Sequence, residues 1–306
     1  MMVAMYLLRK WYIDLLTPGG DYLFLYFAFV RLAGFTFRSL VLHVAHSGAG
    51  APITIPLKAR WHQDRAGDDR TVLVGLESGG MRISSEGCRV LAVDKGVSLD
   101  LVFTPSTHSG RQRVRIDGPR GSHIFWEPVC LRYKVEGHAQ VSGAPIDVRG
   151  AAGYADFLES TVLPPEVPVR RLLWGRVHGP ASDLVYMHAS GLSGTPAWSR
   201  LILRSKTFEE SDSVLITGLS ESAPDKSPAN GYLLRAPLPS GEFRMTVRRR
   251  KTVQDSGFID QQKIQLLASL AKRVTRDPRS TKFLSSAEIP SWGKGEFTMI
   301  DEEACL

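Results

Sequence analysis

The chain has 306 residues, enough for two domains, because a single hydrophobic core rarely grows beyond about 250–300 residues. Hydrophobic residues make up 43% and charged residues 23% of the sequence, a balance that excludes intrinsic disorder. The net charge of +7 would suit nucleic acid or an anionic membrane. The positive residues are scattered, however, and the aromatic residues are not interleaved with them, so we expect no nucleic-acid binding. The one dense basic run, residues 248–251, is typical of a solvated strand face.

The cysteines and the apolar runs indicate in which cellular compartment the protein is expected. The three cysteines are far apart and form no CxxC spacing, which predicts neither a disulfide scaffold nor a structural zinc site and suits a reducing cytoplasm. Residues 1–8 are apolar, but no cleavage site follows them. The apolar run 22–30 is shorter than the roughly 20 residues that a membrane helix needs. We therefore predict a cytoplasmic protein without a transmembrane segment; peripheral membrane contact and oligomeric state stay open.

Short apolar runs between turn residues recur along the chain, which is typical of a β-meander. In the first half they predict strands at 11–16, 22–31, 35–45, 53–61, 71–77, 88–93, 97–104 and 124–135. Three prolines between residues 163 and 168 cannot donate to a β-ladder, so we predict a crossing between domains there. Beyond it the pattern predicts strands at 169–177, 183–189, 198–204, 214–219, 232–236 and 242–250. The sequence thus predicts an all-β protein with two tandem barrel or sandwich domains, residues 1–162 and 163–306.

One stretch predicts a helix instead. After Asp260, an expected N-cap, apolar residues recur at the 3.6-residue spacing of one buried face through Val274. Pro278 ends this helix and is expected to start a second short helix through Phe283. A lone amphipathic helix late in a β protein is typical of the brace of a lipocalin-type barrel. We predict it at residues 260–274.

The strong cofactor and metal motifs are absent from the sequence. It contains no GxxxxGK[ST], GxGxxG, HExxH or GxSxG pattern. His43 and His46 are close in sequence, but on a strand they would point to opposite faces. We therefore expect neither a cofactor nor a metal.

The residues suited to chemistry gather around the predicted domain crossing: Trp126, Glu127, Tyr154, Asp156, Glu159, Trp174, Arg176 and His178. On a strand, Tyr154 and Asp156 would share one face. A carboxyl group that faces an apolar cavity has a raised pKa and can donate a proton near neutral pH, while aromatic faces stabilise developing positive charge. The alternative is that Asp156 and Arg176 form a buried ion pair that joins the two domains.

Several short motifs resemble the carotenoid 1,2-hydratase (hydroxyneurosporene synthase)-like family. They are Lys10-Trp11-Tyr12-Ile13-Asp14, Gly20-Asp21, Trp126-Glu127-Pro128, Gly153-Tyr154-Ala155-Asp156, Trp174-Gly175-Arg176 and Gly257-Phe258-Ile259-Asp260. The resemblance spans most of the chain. It implies two tandem lipocalin-like β-barrels with a hydrophobic site at or near their junction. Family members add water to isoprenoid double bonds, and related fungal proteins act as Diels–Alderases on polyene chains.

The resemblance also implies roles for individual residues. Asp156 and Tyr154 match the acidic residue and the tyrosine of the family's Gly-Tyr-His-Asp-His-Asn-Trp-Gly segment, and Trp126 matches an aromatic lining residue. The histidines that flank the family's aspartate are replaced here by Ala155 and Phe157. Since hydration must position a water molecule, this loss of polar groups favours ring closure, in which preorganisation supplies most of the rate.

The sequence therefore predicts a cofactor-free cyclase, possibly of Diels–Alderase type, that acts on a hydrophobic polyene or isoprenoid. Asp156 would be the acid, with Tyr154 and Glu127 assisting it. The substrate would be bound by Trp126, Glu159, Trp174, Arg176 and His178. Two alternatives stay open: a hydratase or proton-initiated cyclase of an isoprenoid double bond, and a lipid carrier without chemistry.

Overall fold

The computed structural model describes residues 6–32, 34–47, 51–57, 59–60, 72–76, 79–84, 86–94, 96–106, 113–163, 166–167, 169–191, 196–219, 230–257 and 279–305. The chain divides into two compact units, Met1–Val162 and Leu163–Leu306. The described residues are almost entirely β-structure, apart from short 3-10 turns such as Pro119–Gly121 and Pro290–Trp292, which confirms the all-β part of the predicted fold class. No helix among them is long and apolar enough to cross a membrane. The helix predicted at 260–274 lies outside the described residues.

In the described part of the first unit, thirteen strands form one antiparallel sheet. They are β1 (Tyr6–Leu16), β2 (Tyr22–Leu32), β3 (Phe35–Ala45), β4 (Ile53–Leu57), β5 (Ala59–Arg60), β6 (Val72–Leu76), β7 (Gly79–Ser84), β8 (Gly87–Asp94), β9 (Val97–Pro105), β10 (Val114–Asp117), β11 (His123–Val141), β12 (Ala144–Ile146) and β13 (Ala152–Ser160). The main path is β4-β3-β2-β1-β13-β11-β9-β8-β7-β6-β5, and β10 and β12 both pair with β11.

The first sheet curls around one hydrophobic core. That core joins Leu57 of β4 to Met81 of β7, which lie near opposite ends of the strand order. Side chains alternate between the two faces of a strand, so Trp11, Ile13 and Leu15 of β1 all face this core. We call this side of the sheet its concave face. The opposite face of β1, β2 and β13 is also buried, which explains why β2 reads as a continuous apolar run.

In the described part of the second unit, nine strands form the second antiparallel sheet, in the order β17-β16-β15-β14-β22-β21-β20-β19-β18. They are β14 (Arg171–His178), β15 (Asp183–Ser190), β16 (Pro196–Arg204), β17 (Phe208–Ser211), β18 (Leu215–Gly218), β19 (Gly231–Leu238), β20 (Gly241–Gly257), β21 (Arg279–Glu288) and β22 (Phe297–Cys305).

Two C-terminal segments differ from the expectations of the sequence. The second short helix, expected from Pro278 through Phe283, is wrong, because the chain from Arg279 is strand β21. The tail contributes β22, which pairs with both β14 and β21 near the middle of the sheet. Pairing on both sides satisfies the backbone groups of β21 and β22, which a local sequence pattern cannot report.

Candidate functional site

Six side chains of the first unit form a buried polar group on the face opposite the core. We call it the Tyr–Asp cluster, and its members are Tyr12, Asp14, Tyr22, Trp126, Tyr154 and Asp156. Strands β1, β2, β11 and β13 supply them, and these strands are neighbours in the sheet.

The cluster is built on the same three-residue pattern in two paired strands. Tyr12 and Asp14 of β1, and Tyr154 and Asp156 of β13, each place a tyrosine two residues before an aspartate, so all four share one face. Because the strands are antiparallel, Tyr12 lies opposite Asp156 and Asp14 lies opposite Tyr154. Each tyrosine donates a hydrogen bond to the aspartate of its own strand, from Tyr12 at 2.5 Å and from Tyr154 at 3.1 Å.

Asp14 lies at the closed end of the cluster. Its side chain is fully buried, and Oδ2 accepts from the hydroxyls of Tyr12 and of Tyr22, the latter at 3.3 Å. The two hydroxyls also contact each other. A buried carboxyl needs such donors, since leaving it without them costs free energy. Asp14 is therefore held in one position by its neighbours.

Asp156 differs from Asp14 in its exposure. Its Oδ2 accepts from Trp126 Nε1 at 3.2 Å and from the Tyr154 hydroxyl at 3.1 Å, but the residue is only half-buried. Trp126 and Tyr154 themselves are buried. Two rigid aromatic donors thus orient a carboxyl group that a ligand can reach.

Aromatic and cationic side chains extend the same face onto β2 and β3. The rings of Phe24 and His43 stack at 4.5 Å, and Thr54 Oγ1 lies 2.9 Å from His43 Nδ1. Lys10 Nζ lies 4.0 Å from the centre of the Tyr26 ring, within the range of a cation–π contact. The layer beside the cluster is therefore aromatic, and Phe24, Tyr26 and His43 are buried within it.

The structure separates Glu127 and Glu159 from Asp156. Glu127 lies opposite Phe157 in the ladder between β11 and β13, and Glu159 lies opposite Phe125. Both glutamates therefore point to the concave face, whereas Asp156 points away from it. We correct the expected grouping of Glu127 with Asp156, because side chains on alternate faces of one sheet cannot act on the same atom.

The remaining predicted residues lie on β14 in the second unit. Trp174, Arg176 and His178 share one face of that strand, and Trp174 and Arg176 are buried. His178 Nδ1 lies 2.8 Å from Oδ1 of the buried Asp183, which also binds Arg204. On the neighbouring strand pair, Lys282 binds Glu302 and lies 5.1 Å from the Trp174 ring.

The opposite face of this second sheet holds a polar network that was not predicted. Arg249 of β20 contacts Asp301 and Glu303 of β22, each at 2.9 Å, and Ser285 donates to Asp301. Burial raises the pKa of Asp301, although the Arg249 charge opposes that rise. Only 2% of the Arg249 side chain is exposed, so the expected solvated basic run is wrong at this residue.

Two tyrosines complete this network. The hydroxyls of Tyr186 and Tyr232 contact each other, and both residues are fully buried. Burial raises the pKa of each phenol well above its usual value, with a further contribution from the Asp301 charge. Both phenols therefore stay neutral at ordinary pH.

Sequence reasoning missed Tyr12, Asp14 and Tyr22 as cluster members. A signal was present, since Tyr-Ile-Asp at residues 12–14 repeats the Tyr-Ala-Asp pattern at residues 154–156. The network around Arg249 and Asp301 offered no comparable signal, because no short pattern of residues is repeated between its strands. Among the residues that the structure describes, no three His, Cys, Asp or Glu side chains converge as a metal site would require.

Comparison with known proteins shows the fold. No protein-family model matches the sequence, and no curated protein is similar to it in sequence. Among solved structures, the chain is similar to a protein assigned as AttH from Nitrosomonas europaea, with 18% identity and a TM-score of 0.59 over 97% of this chain and 92% of that one. The fold is lipocalin-like.

Two further solved structures share this lipocalin-like fold. CghA has 10% identity and a TM-score of 0.67, over 98% of this chain and 88% of that one. Kievitone hydratase from Nectria haematococca has 11% identity and a TM-score of 0.57, over 97% of this chain and 88% of that one. At these identities the likeness concerns the fold.

Proposed function

We propose that this lipocalin-like protein is a cofactor-free enzyme that closes a ring in a small hydrophobic polyene or isoprenoid. The observation that carries the proposal is the half-buried Asp156 carboxyl, which Trp126 and Tyr154 orient from two sides. Folding a flexible chain against a rigid apolar surface supplies a large part of the rate of an intramolecular reaction. One preorganised polar group then acts on the reacting atoms.

The geometry gives each residue of the cluster a separate role. Asp156 is the proposed catalytic residue, because it alone among the two aspartates of the cluster is partly exposed. Tyr154 and Trp126 are buried donors to Asp156 and are proposed as positioning residues. Asp14, fully buried between Tyr12 and Tyr22, holds the first strand of the cluster in register.

Hydration of a double bond is the second candidate. Kievitone hydratase shares the fold, and its name states the addition of water. CghA, which also shares the fold, has been crystallised with Sch210972. In the hydratase alternative, the Asp156 carboxyl would exchange a proton with the alkene or with the incoming water.

The test begins with a search for a ligand that co-purifies with the protein. The purified protein would be extracted with organic solvent, and the extracted polyene would be incubated with fresh protein in water labelled with deuterium and oxygen-18. A product of unchanged mass with a new retention time supports ring closure. A product heavier by one labelled water supports the hydratase, and a ligand that returns unchanged overturns both enzyme proposals in favour of a carrier.

Variants then test the role of Asp156. We expect Asp156→Asn to lower kcat at least about a hundredfold and Tyr154→Phe to lower it less, since general acid–base groups contribute about 10²–10⁴-fold. Asp100→Asn is the matched control, because Asp100 is an exposed carboxyl on β9 with a surface partner, Arg89. Full activity of Asp156→Asn with an intact fold would contradict the assignment.

A further inference from the structure

Strands β2 and β3 form a hairpin whose tip exposes a large apolar side chain. Phe35, the first residue of β3, is 70% exposed, the highest fraction among the large hydrophobic residues that the structure describes. Gly34 before it has a φ of 87°, a conformation that favours glycine. A Cβ atom at Gly34 would meet no other atom within 4 Å. Open space therefore surrounds the chain where it enters β3.

Cross-strand register gathers further apolar side chains beside Phe35. In the two ladders that β2 makes with β1 and β3, each residue of β2 lies between one residue of either neighbour. Two such rows on the face opposite the core consist only of apolar and aromatic residues. We call these two rows the tip patch, and its members are Tyr6, Leu32 and Phe35 in the first row and Leu8, Val30 and Phe37 in the second.

The tip patch opens to solvent toward the end of the hairpin. Along β3, the exposed fraction rises from 3% at Val41 to 70% at Phe35, and Phe37 between them is half-buried. Along β2, Val30 and Leu32 are likewise half-buried. Single exposed apolar residues are common on proteins, but a contiguous group of them marks a surface that another apolar phase covers.

The hairpin also carries positive charge. Arg31 and Arg38 are both exposed, and they lie on the other face of the hairpin from the tip patch. The sequence contains no aspartate or glutamate between residues 22 and 63. Arg31 makes no ion pair or hydrogen bond with any residue that the structure describes. The hairpin therefore has no carboxylate of its own to neutralise its arginines, and an anionic partner would complement it.

We propose that the tip patch docks on an anionic lipid membrane, with Phe35 and Leu32 among the upper parts of the acyl chains. Arg31 and Arg38 then bind lipid phosphates, because the long arginine stem lets its charged end reach the headgroup layer while apolar neighbours lie deeper. The paired strands keep their backbone hydrogen bonds, so only the tip enters the interface. This docking surface goes beyond the proposed chemistry of Asp156.

Charge and size both favour a membrane over a second copy of the chain. Two hairpins that packed tip to tip would bring four exposed arginines together without a carboxylate from either hairpin, and like charges repel. A stable protein interface also uses about 20–30 residues on each side, far more than the tip patch contains. A membrane needs only a few inserted side chains and nearby positive charge.

The experiment measures sedimentation of the full chain with vesicles of phosphatidylcholine, alone or mixed with phosphatidylglycerol. We expect binding to the mixed vesicles that weakens as salt is added. Phe35→Ala should weaken it about tenfold, the effect of losing most of one buried aromatic side chain. Arg31→Gln should weaken it about fivefold, the contribution of one arginine near an anionic surface. Phe35→Trp should retain binding, since an indole also suits the interface.

Two matched variants control for general effects of lost apolar surface and lost charge. Phe208→Ala removes an aromatic side chain that is 38% exposed on β17 of the second unit. Arg149→Gln removes an exposed arginine that pairs with Asp147. Both variants should bind the mixed vesicles as the wild type does. Because Phe35 and Arg31 are exposed, their variants should also melt at the wild-type temperature, which circular dichroism checks.

A dye at the tip reports insertion directly. Cys305→Ser first removes the exposed thiol, and Thr36→Cys then places a single accessible thiol beside Phe35. A nitrobenzoxadiazole dye on that thiol should brighten and shift to the blue when the mixed vesicles are added. The same dye on Val93→Cys, at a residue that is 53% exposed on β8, should not respond.

Three results would overturn the proposal. The first is failure of the wild type to bind the mixed vesicles, or equal binding by the wild type, Phe35→Ala and Arg31→Gln. The second is vesicle binding with no response of the dye at residue 36. The third is a dimer of the wild type that Phe35→Ala dissociates in analytical ultracentrifugation while neither protein binds vesicles, which would assign the tip patch to a second copy.

Discussion

Tyr12 lies directly opposite Asp156 in the ladder between β1 and β13. Two residues further along β1, Asp14 lies opposite Tyr154. Each of these two cross-strand pairs therefore consists of one tyrosine hydroxyl, a donor, and one carboxyl group, an acceptor. The two halves differ in exposure, since Asp14 is fully buried and Asp156 is half-buried. The same chemistry is thus structural at one position and open to a ligand at the other.

This difference predicts unequal effects of removing the two tyrosine hydroxyls. We expect Tyr12→Phe to lower the free energy of unfolding by about 1–3 kcal/mol, because it leaves a buried acceptor with fewer donors. Tyr154→Phe should cost about 1 kcal/mol or less, because water can reach Asp156 and Trp126 still donates to it. Urea denaturation of both variants measures this; a larger loss for Tyr154→Phe would contradict the comparison.

The buried network of the second unit predicts a large effect at Arg249. Arg249→Met should lower the free energy of unfolding by about 3–5 kcal/mol, because it leaves the fully buried Asp301 without its cation, whereas Glu303 keeps its contact with Arg171. Adding Asp301→Asn should recover part of this loss. Equal stability of the single and double variants would show that the loss comes from packing instead of charge. Arg244→Met, at an exposed arginine of the same strand, is the control.

A side chain at Gly175 is predicted to lower the stability of the protein. A Cβ atom there would lie 2.6 Å from Cζ of the fully buried Tyr186, so the Tyr186 ring would have to move within the packed interior. We expect Gly175→Ala to cost about 1–3 kcal/mol of unfolding free energy, as overpacking does. Gly19→Ala is the control, since its Cβ would meet only Thr17 Oγ1 at 3.7 Å. Thermal melting of the two variants distinguishes them.

His188 is predicted to make stability depend on pH. Burial lowers its pKa from the usual 6.5, and the nearby Arg171 charge lowers it further. Just below pH 6.5 the unfolded chain therefore binds more protons than the folded one, so this contribution to the free energy of unfolding falls as the pH falls. His188→Gln should lose stability less steeply than the wild type between about pH 7 and pH 5. Parallel melting curves across this range would contradict the prediction.

The three thiols are predicted to react unequally. Burial raises the pKa of both Cys88 and Cys305, but Cys88 and Cys130 are buried whereas Cys305 is exposed. A thiol-specific reagent should modify one thiol in the native protein and all three after denaturation, because the thiolate must form and be reached. Cys305→Ser should abolish the native reaction. Rapid native labelling of that variant would show that a buried thiol becomes accessible.

The sequence by itself determined the β-fold and most of the strands. Apolar runs such as residues 22–30, separated by glycine and proline, indicate where the strands lie. They do so because side-chain alternation and turn formation depend on residues that are close in sequence. Tyr154 and Asp156 could also be placed on one face from their spacing alone. These properties need no knowledge of which strand pairs with which.

Only the tertiary structure decided which face of each strand meets which partner. Strands β1 and β2 are buried on both sides, so their sequences carry no polar alternation to mark the core. Strand β13 pairs with β1 although the two are far apart in sequence: Arg9 and Glu159, which lie opposite each other, are 150 positions apart. The register of β13 with β1 and β11 places Glu127 and Glu159 on the face opposite Asp156. The burial of Arg249 likewise depended on β22 pairing beside β21. Pairing between strands sets these contacts, and no pattern within a single strand encodes it.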